Sequence, residues 1–152
     1  MFNNFLLLML VVGLLVVHPP VSTGANQDQP KKAQPPTLAG SWVVESAVLE
    51  GQAFDETITR TMSLTLRAGR YEVRVGSQLD RGFYMVNDSQ PLKQIDVTGI
   101  EGVNKGKTFL AIYDWQEEKL RICYSLTEGK RPLTFKADQP GYFLVTYKRE
   151  VK

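Results

Sequence analysis

The stretch TLAGSWVVESAV (37–48) sets a glycine two residues before a tryptophan, where an alternating apolar run begins. Seven further short runs follow, parted by Gly, Asn, Asp and Pro. TMSLTL (61–66) puts Met62, Leu64 and Leu66 on one face, and RYEVRV (70–75) sets Tyr71, Val73 and Val75 against Arg70, Glu72 and Arg74. RGFYMV (81–86) is apolar on both faces, and KQIDVT (93–98) alternates about Ile95 and Val97. KTFLAIYDW (107–115) is again apolar on both faces; an inward Leu110 and Ile112 would leave Phe109, Ala111 and Tyr113 outward. EKLRICYS (118–125) sets Leu120, Ile122 and Tyr124 against Lys119, Arg121 and Cys123, and GYFLVTYKR (141–149) sets Phe143, Val145 and Tyr147 against Leu144, Thr146 and Lys148. Period-two alternation in short runs predicts an all-β antiparallel domain. Eight strands joined by mostly short turns predict an up-and-down meander, and closing it into a barrel removes both sheet edges. A sandwich would satisfy the same alternation.

Gly40-Ser41-Trp42 separates the two. At the first strand it resembles the lipocalin signature G-x-W, and Arg149 ends the eighth run as a basic residue does in lipocalins. The resemblance implies a lipocalin-like barrel in which Gly40 lets the chain turn tightly and leaves room for Trp42, Trp42 plugs one end, and Arg149 stacks on the indole. Further along, IDVTGIEGVNKGKTFLAIYDWQEEKLRICYSLTEGKRPLTF (95–135) carries I-D-x-T, E-G, K-G-K-T, I-Y, L-x-x-C and R-P-x-x-F in order. That order resembles a family of small lipocalin-like (calycin) domains common in planctomycete bacteria. With 38–51 it covers about 38–149, and it implies a fold and no activity.

Ahead of the barrel, residues 1–25 hold no Lys, Arg, Asp or Glu, and FLLLMLVVGLLVV (5–17) is a 13-residue apolar run. A bilayer span needs about 20 residues, so the run reads as a signal peptide, with Thr23 and Ala25 before a cut at Asn26. MFNN lacks the usual Lys or Arg, which keeps an N-terminal membrane anchor as the alternative to export into the periplasm or medium. NQDQPKKAQPP (26–36) reads as a flexible Pro/Gln-rich linker, leaving 37–152 as the barrel domain.

Of 18 basic and 16 acidic residues, Lys31, Lys32 and Asp28 precede the barrel, leaving it 16 against 15, a net charge of +1. The signs are interspersed, which gives no nucleic-acid footprint. Cys123 is the only cysteine and His18 the only histidine. Neither an intramolecular disulfide nor, once His18 is removed by export, a Ser-His or Cys-His nucleophile pair can form. No metal site, cofactor or catalytic residue is expected. NKGKT (104–108) lacks the leading glycine of a phosphate loop, since position 101 is Glu101, and it precedes a strand, so it reads as a β-turn. Asn87-Asp88-Ser89 fits a glycosylation sequon but also a turn, and Cys123 reads as a small buried residue.

Asp96 alternates outward, where it could bond a loop or meet Lys107. Arg131 could bind a ligand carboxylate or tie its own connection to Asp96 or Glu128. Residues 49–60 could form a short helix over the barrel mouth, with Asp55 or Thr57 near its start. Leu133 and Phe135 are expected to fold back over the apolar outer patch of strands six to eight.

An eight-stranded barrel is either packed by its own side chains or holds one small ligand. The first functional reading is an exported barrel binding a small apolar or amphipathic ligand. Tyr71, Tyr84 and Tyr124 orient it, with Leu110 and Arg131 completing the candidate site. The alternative is a filled barrel that binds or inhibits a protein partner through its outer faces or the arm 26–36. An enzyme ranks third, its general bases reduced to carboxylates, Lys or Tyr.

Overall fold

The computed structural model describes residues 36–151; the signal-peptide and linker readings lie almost wholly outside them. The chain runs β1 (Gly40–Leu49), β2 (Gln52–Ala53), α1 (Glu56–Thr59), β3 (Met62–Arg67), β4 (Arg70–Val75), β5 (Gln78–Asn87), β6 (Gln94–Glu101), β7 (Thr108–Gln116), β8 (Lys119–Ser125) and β9 (Tyr142–Arg149). β2 is a two-residue appendage hairpinned onto β1. The other eight strands pair antiparallel in chain order from β1 through β3 to β9, and β1 closes on β9. The result is an eight-stranded up-and-down antiparallel barrel of lipocalin-like fold. Closure uses up the backbone donors and acceptors that two free edges would expose.

Alternation sends one face of each strand into the core. Met62, Leu64 and Leu66 of β3, Tyr71 of β4, Ile95 and Val97 of β6, and Leu120 and Ile122 of β8 are all buried there. β1 needs a correction of phase to join them. Its register shifts between Val44 and Ser46, so Val44 faces Tyr147 while Ala47 faces Val145. This β-bulge leaves Glu45 and Ser46 exposed and returns Ala47 to the core.

For β7 the inward face is the reverse of the expected one. Ala111 pairs with Tyr124 and Tyr113 with Ile122, and directly opposed residues share a face of the sheet. Ala111 and Tyr113 therefore join the core cluster, and Phe109 lines the barrel cavity. Leu110, opposite Asp96, and Ile112, opposite Cys123, look outward. Ile112 is nonetheless only 1% exposed, because the connection between β8 and β9 covers that outer face. Pro132 and Ala137 are buried under it, while Leu133 is 80% exposed. The expected cover thus falls to Pro132 and Ala137 instead of Leu133. Phe135 stays on the wall, with the Arg121 guanidinium 4.5 Å from its ring centroid.

One barrel end is shut by Trp42. Its ring lies 5.7 Å from Trp115, and its indole N–H donates to the Leu38 carbonyl at 2.9 Å. Arg149, paired with Trp42 across the β1–β9 seam, stands 4.2 Å above the indole. Its guanidinium donates to the carbonyls of Ala39 (3.1 Å) and Thr37 (2.8 Å). Gly40 sits at φ 147°, and a Cβ there would fall 2.2 Å from Nη1 of Arg149 but 4.0 Å from Trp42. The glycine makes room for the arginine that covers the tryptophan, which amends the expectation that it makes room for the tryptophan itself.

Candidate functional site

The opposite end is open. Between its strands lies a cavity of about 350 Å³, within the usual range for small-molecule sites of about 300–1,000 Å³. Leu64, Tyr71, Val73, Ile95, Val97 and Ile122 form much of its wall, and Leu49, Phe54, Val75, Val103 and Leu126 come to it from the strand ends and loops. Phe54 follows the β1–β2 hairpin and packs 5.8 Å from Phe143, which in turn stacks 6.1 Å from Tyr124. Immediately after it, α1 begins. Asp55 caps this single turn, its Oδ1 accepting from the backbone N–H groups of Thr57 (2.8 Å) and Ile58 (3.2 Å). The side chain of Thr57 bonds the same carboxylate, which with the Ile58 N–H holds the Asp55 carboxyl below its ordinary range.

Of the five side chains expected to meet a ligand, two line the cavity: Tyr71 and Tyr124. Burial, with the Asp80 carboxylate second, pushes the Tyr71 phenol up. Tyr124 and Tyr147 place their hydroxyls 3.4 Å apart. Burial pushes Tyr147 up to about 12 and Tyr124 well above its ordinary value, the neighbouring Tyr147 adding to the latter. These phenols stay neutral at physiological pH and can donate or accept.

The other three stand elsewhere. Tyr84 packs against the core cluster away from the cavity. Leu110 is on the outer face because β7 is phased by β8. Arg131 is also outside: its Nη1 lies 2.7 Å from Oδ1 of Asp96 and donates to the Ala111 carbonyl at 2.8 Å. Both partners are mostly buried, with 21% and 31% of their side chains exposed. Arg131 ties the β8–β9 connection to the wall, the structural role weighed for it in the sequence, and it does not line the cavity. Asn87 closes a turn, Oδ1 accepting from Ser89 N at 3.1 Å, and NKGKT is part of the β6–β7 turn, where Lys107 N–H donates to the Asn104 carbonyl at 3.0 Å.

Sequence reasoning missed Asp80 and Asn104, both in the cavity wall. Asp80 is 9% exposed and faces inward on β5, two pairs before Tyr84. Asn104 donates to it twice, from its backbone N–H to Oδ1 (3.1 Å) and from Nδ2 to Oδ2 (2.7 Å). This places the β6–β7 loop over the carboxylate. Gly102 permits the approach, since a Cβ there would fall 2.2 Å from Asp80 Oδ1. The signal was available: counting back by twos from an inward Tyr84 through Gly82 reaches Asp80.

Among the described residues no group of three or more His, Cys, Asp or Glu is placed to hold a metal ion, and no helix is long and apolar enough to cross a membrane. Cys123 is fully buried, its thiol directed at the Lys136 carbonyl at 3.6 Å. The chain matches no protein-family model, no curated protein and no solved structure.

Proposed function

We propose that this barrel is a carrier that takes one small apolar or amphipathic molecule into its open cup. The observation that supports it is the cavity of about 350 Å³, walled by aliphatic and aromatic side chains with a few polar groups, beneath a mouth edged by Phe54 and Leu126. Apolar burial at about 25 cal/mol per Å² drives entry, and the Tyr71 and Tyr124 hydroxyls orient the guest. Residues 49–60, with α1 and Phe54, edge the route in. An unfilled space of this size speaks against the alternative of a barrel packed by its own side chains. Export, read from the apolar run 5–17 and the cleavable-looking Thr23 and Ala25, would place the carrier outside the cytoplasm. The motif order of 95–135 supports kinship with the planctomycete domains it resembles.

Titration with N-phenyl-1-naphthylamine, which fluoresces in apolar surroundings, tests the reading. Saturable one-to-one binding to the native protein is expected, lost in Val73→Trp, where an indole occupies the cup. Equal binding by both proteins would place the probe elsewhere and end the carrier reading.

A further inference from the structure

The charge of the cavity wall is one-sided. Asp80 is the only carboxylate among the described lining residues, and no Lys or Arg joins it. Among the described residues Asp80 takes part in no ion pair. Its two bonds come from one neutral residue, Asn104, whereas a carboxylate offers about four acceptor positions. A structural tie to the β6–β7 loop would be served by a neutral amide at position 80. A carboxylate in its place sets a second acceptor oxygen, nine-tenths buried, beside an apolar space whose wall holds no cation.

We infer that Asp80 is the anchor for the ligand's head group, and that the cup selects an apolar body carrying a cationic hydrogen-bond donor, an alkyl or aryl amine, over an apolar carboxylate. This rests on the carrier reading and adds the ligand's chemical class. Asn104 orients the carboxylate through its two donors, leaving the remaining acceptor positions for the ammonium. A fatty carboxylate meets like charge at the same place and finds no basic side chain in the wall. The protein as a whole does not draw in cations, for its formal net charge is +2, so a preference for amines has to come from the site.

The test compares octylamine, octan-1-ol and octanoate by calorimetric titration of the intact chain at pH 7, where the first is cationic and the last anionic. Native protein is expected to bind octylamine about tenfold or more tightly than octanoate, with octan-1-ol between. In Asp80→Asn, and in the smaller neutral variant Asp80→Ser, octan-1-ol binding persists and the preference for the amine disappears. Retained octan-1-ol binding also shows that a variant has kept its cup. If octan-1-ol binds but octylamine binds no more tightly than octanoate, the anchor is overturned and the carrier stands. If the amine preference survives both substitutions, Asp80 is not its source, and the inference is equally overturned. If none of the three binds the native protein, carrier and anchor fall together.

Discussion

A Cβ on Gly40 would stand 2.2 Å from Nη1 of Arg149, so the first and last strands of this barrel are joined by a contact that only glycine permits. Arg149 uses that space to cover Trp42 and to bond two carbonyls ahead of β1. Gly40→Ala meets both this clash and an unfavourable backbone conformation, and should cost about 1–3 kcal/mol. Arg149→Ala removes the stacking and the bonds for about 1–2 kcal/mol. Because the clash needs the guanidinium, the double variant should lose less than the two singles combined. Urea denaturation of the four proteins measures this; strict additivity would show that the glycine serves only its own backbone.

On the far side of the wall, Asp96 and Arg131 hold the β8–β9 connection against β6 and β7. Both groups are largely buried, so Asp96→Ala leaves Arg131 with the Ala111 carbonyl alone and should cost about 1–3 kcal/mol. The loss should be local first. Hydrogen exchange is expected to quicken around residues 126–141 and across β7, while β3 and β4 keep their protection. Uniform acceleration through the barrel would assign the pair to global stability instead.

How much of this was legible beforehand follows from what alternation can and cannot carry. Eight alternating runs and the pairing of Trp42 with Arg149 were enough for the barrel and its closed end. The β7 face was not legible, because Ile112 and Tyr113 are both buried, one on the outer face opposite Cys123 and the other in the core. Only its register with β8 separates them, and register is a property of pairs. At the site, Tyr71 and Tyr124 followed from strand phase. Asp80 was reachable only by counting back from Tyr84 along a run apolar on both faces, and its burial depends on the Gly102–Asn104 turn folding over it from another part of the chain.

High pH should unfold the protein through its buried phenols. Tyr147 is pushed up to about 12 by burial, and Tyr124, Tyr113 and Tyr71 are raised as well, burial again the first cause. The folded state therefore keeps protons that the unfolded chain surrenders near the ordinary tyrosine value of about 10. Stability from these groups is complete below that value and is lost as pH rises through 12. Denaturation midpoints are expected to hold through pH 9 and fall between 10 and 12, with Tyr147→Phe flattening the fall. A profile unchanged by that substitution would remove Tyr147 from the account.

Cys123 should be inert in the native protein. Burial pushes its thiol up to about 11, outweighing the nearby Arg121, and the thiolate is the reactive form. Ellman's reagent at pH 8 is expected to label it only as fast as the barrel opens, and completely in denaturant. Immediate stoichiometric labelling of native protein would contradict the burial of β8 beneath the 126–141 connection.

The open end holds an apolar cup, and its most direct test is a crystal of the protein soaked with 1-bromooctane and measured at the bromine absorption edge. An anomalous peak is expected inside the barrel, among Leu64, Tyr71, Val97 and Phe109. A barrel interior closed by its own side chains, with no bromine in it, would contradict the carrier reading.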